Sequence, residues 1–353
     1  MGTLRLLLAV LVLASHSGIA RFTGVLGVEC FYVISGFYIQ MILTEKYAVG
    51  ADWKWRFYKS RFLRIFVPYW VILIIVAGLS IEKVKAFSGA SALDLAISSF
   101  SNFFIIGSEQ IKFFRIHEGC SYPLWDMLLI PQVWSVGLEL VFYALIPFIF
   151  TYTRLMMGFV SVVIVAKVLM FSIADANFIL NTECADGLLN GILPLEFGTF
   201  CAGALLYHIY LKLHIPPKFH PYFYVAVLSV IFATSFLLLG KFNDFFVDPE
   251  FFLINYHSYL LLIASVTPVL FLVSRSYAWD QFIGNLSYPF YLWHLFILQQ
   301  LSLLNFTQGE VFGVALIITL VASALTLVIV ETPVNRYRHR KFSTSPIPGK
   351  NSA

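Results

Sequence analysis

Residues 4–18 read LRLLLAVLVLASHSG, an apolar run broken only by Arg5 and by His16 with its neighbouring serines. Eleven helical residues make about three turns, so the two side chains point the same way, about 16 Å apart along the axis. An ionisable side chain inside a membrane helix is costly, and it usually faces a cavity, a partner or a pathway. A guanidinium and an imidazole on one stripe therefore point to a polar channel into the bilayer. The competing account is an arginine snorkelling at a helix end and a histidine held by a backbone carbonyl. Spacing alone leaves both open.

The rest of the chain makes the membrane setting plain. Of 353 residues, 59% are hydrophobic and only 12% are charged, against roughly 45–50% and about 25% in soluble domains. That much apolar surface cannot be buried in one water-facing fold, so the sequence predicts an all-α polytopic membrane protein. Its 36 Phe and 18 Tyr suit aromatic belts at two interfaces. No nucleic-acid partner is expected; the bilayer itself is. The first run continues past Ala14 without an A-x-A site, and a second apolar run follows at once, so an uncleaved first span is expected rather than a signal peptide.

Orientation follows from the loops, since short Lys- and Arg-rich loops mark the cytoplasmic side. Residues 45–64, EKYAVGADWKWRFYKSRFLR, carry six such residues. Expected spans are 4–20, 27–44, 65–81, 134–150, 155–174, 188–207, 222–240, 257–274, 281–301 and 311–330. Counted in order, they place Arg154, the KLHIPPKFH loop at 212–220, Arg275 and NRYRHRK at 335–341 inside. This gives about ten spans with both termini cytoplasmic, as in a bacterial-type inner membrane. Residues 92–107 are apolar but short and contain Asp94, Ser98, Ser99 and Asn102; they read as a re-entrant or interfacial helix. One transmembrane domain over 1–341 and a disordered cytoplasmic tail over 342–353 complete the organisation. Cys30 and Cys201 fall within spans as core residues. Cys120 and Cys184 fall in expected outer loops, where a disulfide is permitted and two free thiols are favoured. No Cys/His spacing suits a metal.

Several stretches carry chemistry. In GVECFYVISGFYIQM, Glu29 is a carboxylate at the outer start of a span, and Ser35-Gly36 allow close approach of a helix or a ligand. Arg61 and Arg64 share a helix face just below the membrane, fit either to hold a phosphate or pyrophosphate or to contact anionic lipid. Pro68 is placed to kink or begin the third span. Ser135, Glu139 and Tyr143 lie at i, i+4 and i+8, a stripe on which a buried carboxylate serves as a base or orients a histidine. Ser287, Tyr291 and His294 form a second stripe, for which structural hydrogen bonding between helices competes. Glu331 closes the last span, with Arg336 near enough for an ion pair.

In this order, R-x10-H from Arg5 to His16, GVECFYVISGF at 27–37, RFLRIFVPYW at 61–70, WSVGLELVFY at 134–143, NLSYPFYLWH at 285–294 and VETP at 330–333 resemble the membrane-bound acyltransferase-3 family across nearly the whole chain. The resemblance implies transfer of an acyl group, most often acetyl, from cytosolic acyl-coenzyme A to a hydroxyl of an acceptor. Acceptors in the family are commonly envelope carbohydrates or lipid-linked sugars. The hydrolase-like domain fused to some members is not expected here. The family often has a second aromatic where Tyr32 stands, and Tyr suits that role. On this basis His16, Glu139 and Arg5 are the expected catalytic residues, with Arg61, Arg64, Ser35 and Gly36 at the coenzyme. Glu29, Ser135, Tyr143, Ser287, Tyr291 and His294 surround substrate, and no metal is expected. His16 either deprotonates the acceptor, with Glu139 orienting it, or carries the acyl group itself; direct transfer is favoured because a thioester is already activated. The rival class is a proton-coupled transporter, which should show repeated halves or paired broken helices. Neither is evident.

Overall fold

The computed structural model describes residues 1–20, 23–47, 50–117, 123–173, 193–239, 252–304 and 306–342. Among them regular structure is helical throughout. The long elements are α1 (Gly2–His16), α2 (Thr23–Ile42), α3 (Trp53–Leu79), α8 (Trp134–Ile149) and α9 (Thr153–Ile173), then α10 (Leu193–Tyr210), α11 (His220–Leu239), α12 (Phe252–Ser274), α13 (Ala278–Leu301) and α14 (Gln308–Thr326). Shorter pieces are α4 (Ile81–Ala86), α5 (Ala92–Phe104), α6 (Ser108–His117), α7 (Pro123–Asp126) and α15 (Thr332–Phe342). Two π-helical turns interrupt this pattern, Leu43–Tyr47 after α2 and Leu327–Glu331 between α14 and α15.

Among the described residues, six stretches are long and apolar enough to cross a bilayer: Thr23–Tyr47, Trp53–Leu79, Pro131–Ile149, Pro217–Leu237, Asn255–Ser274 and Gln308–Phe342. The chain is a multi-pass membrane protein. Helices also occupy the other expected spans, but α1 is only 15 residues long, and α13 is diluted by Asp280, Asn285, His294, Gln299 and Gln300. The third span differs from expectation. It begins at Trp53 rather than near 65, so Pro68 lies inside α3, and Arg61 and Arg64 belong to one continuous helix.

Residues 92–107 contribute α5, whose 13 residues rise about 20 Å, short of a 30 Å hydrocarbon core. Its faces are inverted for water: Ser98 and Ser101 are buried while Leu93, Phe100 and Phe103 are exposed. Asn102 ties α5 to the following segment, donating to the Met127 carbonyl at 2.9 Å and accepting from the Leu129 amide at 2.8 Å. Asn102, one of the polar residues that weakened this segment as a span, is the one that anchors it.

The centre is built on α2 against α10 and α1 against α13. A Cβ on Gly36 would overlap the Phe200 carbonyl, and one on Gly203 would overlap the Val33 carbonyl. Backbones meet there with no side chain between them, the small-residue packing that membrane helices use in place of a hydrophobic driving force. The Asp280 carboxylate accepts from the Gly2 and Thr3 amides, at 2.7 and 2.8 Å, and so caps α1 from α13. Cys30 and Cys201 are free and buried; Cys120, Cys184 and all of the expected tail beyond Phe342 lie outside the described residues.

Candidate active site

A cavity of about 590 Å³ opens among α1, α2, α3, α8, α13 and α15, within the 300–1,000 Å³ range of small-molecule sites. Arg5 projects into it from α1, Ser35 from α2, and Arg61 and Arg64 from α3. Ser135, Glu139 and Tyr143 line it from α8, and Ser287 and Tyr291 from α13. The stripes read from the sequence therefore converge on one space.

One end is strongly cationic. Lys46, Arg338 and His339 join Arg5, Arg61 and Arg64 there, and two of these are delivered by the π turns: Lys46 lies within one, and Arg338 follows the other. Such turns recur at functional sites. Arg338 is buried and donates from Nε and Nη2 to Ser60 Oγ at 3.2 and 3.1 Å. Lys46 Nζ lies 3.2 Å from His339 Nδ1. Among the described residues, Arg5, Arg61, Arg64 and Arg338 form no salt bridge. The carboxylates that act on this cluster at longer range are Glu139 and Glu331. Arg336 is exposed and Glu331 faces Arg64, Arg5 and Arg338 instead, so the expected Glu331–Arg336 pair is not formed. Arg338, two residues further on, has turned inward.

At the other end a polar partition stands between the cavity and two histidines. Tyr291 donates from its hydroxyl to the Gln132 carbonyl at 2.7 Å, and Ser135 Oγ lies 2.7 Å from the same hydroxyl. Beyond Tyr291, ring centroids step by 5.4 Å to His294 and by 5.4 Å again to His16. Neither histidine lines the cavity. His294 is fully buried and donates from Nδ1 to the Tyr291 carbonyl at 2.7 Å, which leaves its Nε2 as a bare acceptor with no partner among the described residues. His16, at the end of α1, lies deep in the protein with its ring not covered over by neighbouring side chains. Lys112 acts on it electrostatically, and the Lys112 Nζ sits 3.2 Å from the centre of the Trp134 ring.

Three expected roles change. Glu139 does not partner His16: it receives the Tyr143 hydroxyl and belongs with Arg5, which stands eleven residues before His16 on α1. Gly36 does not face the cavity; its missing side chain makes room for α10, and only Ser35 of that pair is a wall residue. Glu29 also lies off the cavity, in a buried ion cluster. Lys167 of α9 donates to Glu29 Oε1 at 2.5 Å and lies 3.9 Å from Glu196 Oε1 of α10. Lys167 and Glu196 escaped the sequence reading, although an ionisable residue in an apolar run was the signal already used for Arg5 and His16. Tyr32, Lys46 and Arg338 were missed as wall residues.

A family model described as an acyltransferase domain, that of the acyltransferase-3 family, matches residues 2–331. The chain is 25% identical over 340 residues to the provisionally named O-acetyltransferase SACOL0978 of Staphylococcus aureus strain COL, covering 89% of this chain and 53% of that one. It is 23% identical over 340 residues to O-acetyltransferase OatA of Staphylococcus aureus strain NCTC 8325, covering 92% and 54%. The chain thus spans about half the length of the curated relatives it matches. No solved structure matches it.

Proposed function

The chain belongs to the acyltransferase-3 family and is an acyltransferase; on that premise we propose that it moves an acetyl group from cytosolic acetyl-coenzyme A, or another acyl-coenzyme A, to a hydroxyl of an envelope carbohydrate or lipid-linked sugar. The observation that carries the donor assignment is the cluster of Arg5, Arg61, Arg64 and Arg338 without salt-bridge partners around one end of a cavity. Guanidinium groups held away from carboxylates favour a polyanion, and the fork geometry of arginine matches phosphate oxygens. The phosphates of the coenzyme sit at this end, and its extended arm carries the thioester towards Tyr291.

His16 is the general base. It lies beyond the partition from the donor cavity and is accessible, so an acceptor reaches it without passing the arginines. His294 is a positioning residue: its Nδ1–H is committed to a carbonyl, and its ring packs on His16. The acceptor oxygen bonds to the thioester carbon as His16 takes the acceptor's proton, the carbon–sulfur bond breaks, and coenzyme A leaves as its thiolate. A tenfold-crossing topology in a bacterial-type inner membrane, with both ends of the chain cytoplasmic, fits this arrangement. It predicts that cysteines introduced at Lys54, Lys212 and Arg340 are labelled from one and the same side.

The decisive experiment gives purified protein labelled acetyl-coenzyme A and a panel of envelope glycans, and determines the product. His16→Ala should lower turnover by about 10²–10⁴-fold with the protein still folded, the usual contribution of a general base. Near-normal turnover in that variant returns His16 to a structural role.

A further inference from the structure

We propose that Tyr32 is the hydrogen-bond donor for the carbonyl oxygen of the bound thioester, an inference that rests on the acyl-coenzyme A reading above. Tyr32 lines the cavity from α2 and is only 3% exposed, yet among the described residues its hydroxyl has no hydrogen-bond partner. A buried hydroxyl left unsatisfied is unfavourable, and phenylalanine would fill the same space without that penalty. The chain keeps the hydroxyl, and the described residues supply nothing for it to bind. The cavity does.

Three observations decide what the cavity brings to it. First, the ring is fixed: it packs on Phe200 with centroids 4.4 Å apart, and Phe200 stacks on Phe142, again at 4.4 Å. The phenol is aimed by packing rather than by a hydrogen bond. Second, the groups that act most strongly on Tyr32 are Glu196, Tyr291, Glu139 and Glu29, which sets it beside the Tyr291 partition. A coenzyme anchored by its phosphates at the arginines puts its acyl end here. Third, the other hydroxyl protons at the partition are spent. Tyr291 donates to the Gln132 carbonyl, and Ser135 donates to Tyr291 or to the same carbonyl. Each hydroxyl has one proton to give, so Tyr32 is the fully buried side-chain donor left at that end. Ser35, a turn nearer the arginines, is partly exposed and open to water.

Glu29 is off the cavity and its carboxylate accepts rather than donates, so it does not compete for the carbonyl. As the acceptor oxygen adds to the carbonyl carbon, the π pair moves onto the carbonyl oxygen, where the Tyr32 proton bonds to it. The pair returns as the carbon–sulfur bond breaks and the thiolate leaves. Tyr32 gives up no proton in this cycle.

The test uses acetyl-coenzyme A and S-ethyl-coenzyme A, which differ at the acyl carbonyl, and wild type against Tyr32→Phe. Dissociation constants for the four combinations form a closed cycle. The wild type should prefer the acetyl ligand, and the preference should shrink by about 2- to 12-fold in Tyr32→Phe, the range for one neutral hydrogen bond. The carbonyl stretch of bound carbon-13-labelled acetyl-coenzyme A should lie at lower frequency in wild type than in the variant. Thermal unfolding should show Tyr32→Phe at least as stable as wild type. Equal preference and equal stretching frequency in the two proteins overturn the assignment while leaving the donor reading intact. Absence of coenzyme binding by the wild type overturns both.

Discussion

The molecule holds charge in its interior in two opposite ways. Around the cavity end, Arg5, Arg61, Arg64 and Arg338 share a space and form no salt bridge among the described residues. In the cluster between α2, α9 and α10, one ammonium, Lys167, is closed in by two carboxylates, Glu29 and Glu196, all buried. Uncompensated cations beside an opening wait for an anion from outside the chain. Compensated ions with no opening hold helices together. The difference separates a binding site from a girder, although both obey the same rule that ionisable groups in a membrane helix are functional by default.

The sharpest way to break this contrast is Lys167→Ala. Removing one member of a buried ion cluster strands the others, and costs about 3–5 kcal/mol in buried pairs. Thermal unfolding in detergent should register a large loss, and replacing Glu29 and Glu196 by Gln in the same protein should recover much of it. A stable Lys167→Ala protein would place this cluster with the ligand sites. Arg61→Ala and Arg64→Ala should behave in the opposite sense, leaving unfolding unchanged and weakening coenzyme A binding by about 1.5–3 kcal/mol each. Calorimetric titration reads this directly, and unchanged affinity would return both arginines to lipid contact. Lys46 is the mildest case. Partly exposed beside His339, it should contribute about 0.3–1 kcal/mol to coenzyme binding. That contribution should fade between low salt and about 1 M salt, where the screening length falls to about 3 Å.

Much of this was legible in the chain. Apolar runs gave the helices, and helical spacing gave the faces: Ser135, Glu139 and Tyr143 all reach the cavity, as do Ser287 and Tyr291. Height was not legible. Periodicity says which side of a helix a residue occupies, but not which level of one helix meets which level of another, and so Glu139 was matched to His16 when it stands with Arg5. Gly36 failed for a related reason, because a missing side chain serves a neighbouring helix as readily as a ligand. Tyr32 was hidden by its own ring, which reads as core packing until the hydroxyl is found without a partner. The tilt of Arg338 into the mouth depends on a widened turn that no residue pattern announces.

That turn has a mechanical consequence. A π-helical turn accommodates an extra residue, so a regular α-helix in its place would swing everything beyond it by about 100° around the axis. The turns at Leu43–Tyr47 and Leu327–Glu331 therefore act as phase-setting joints. They fix the angular position at which Lys46 and Arg338 emerge, independently of the long helices behind them. Excising one residue from Leu327–Glu331 would keep α14 seated in its bundle while rotating Arg338 off Ser60, resetting the charge at the mouth without touching the floor of the cavity.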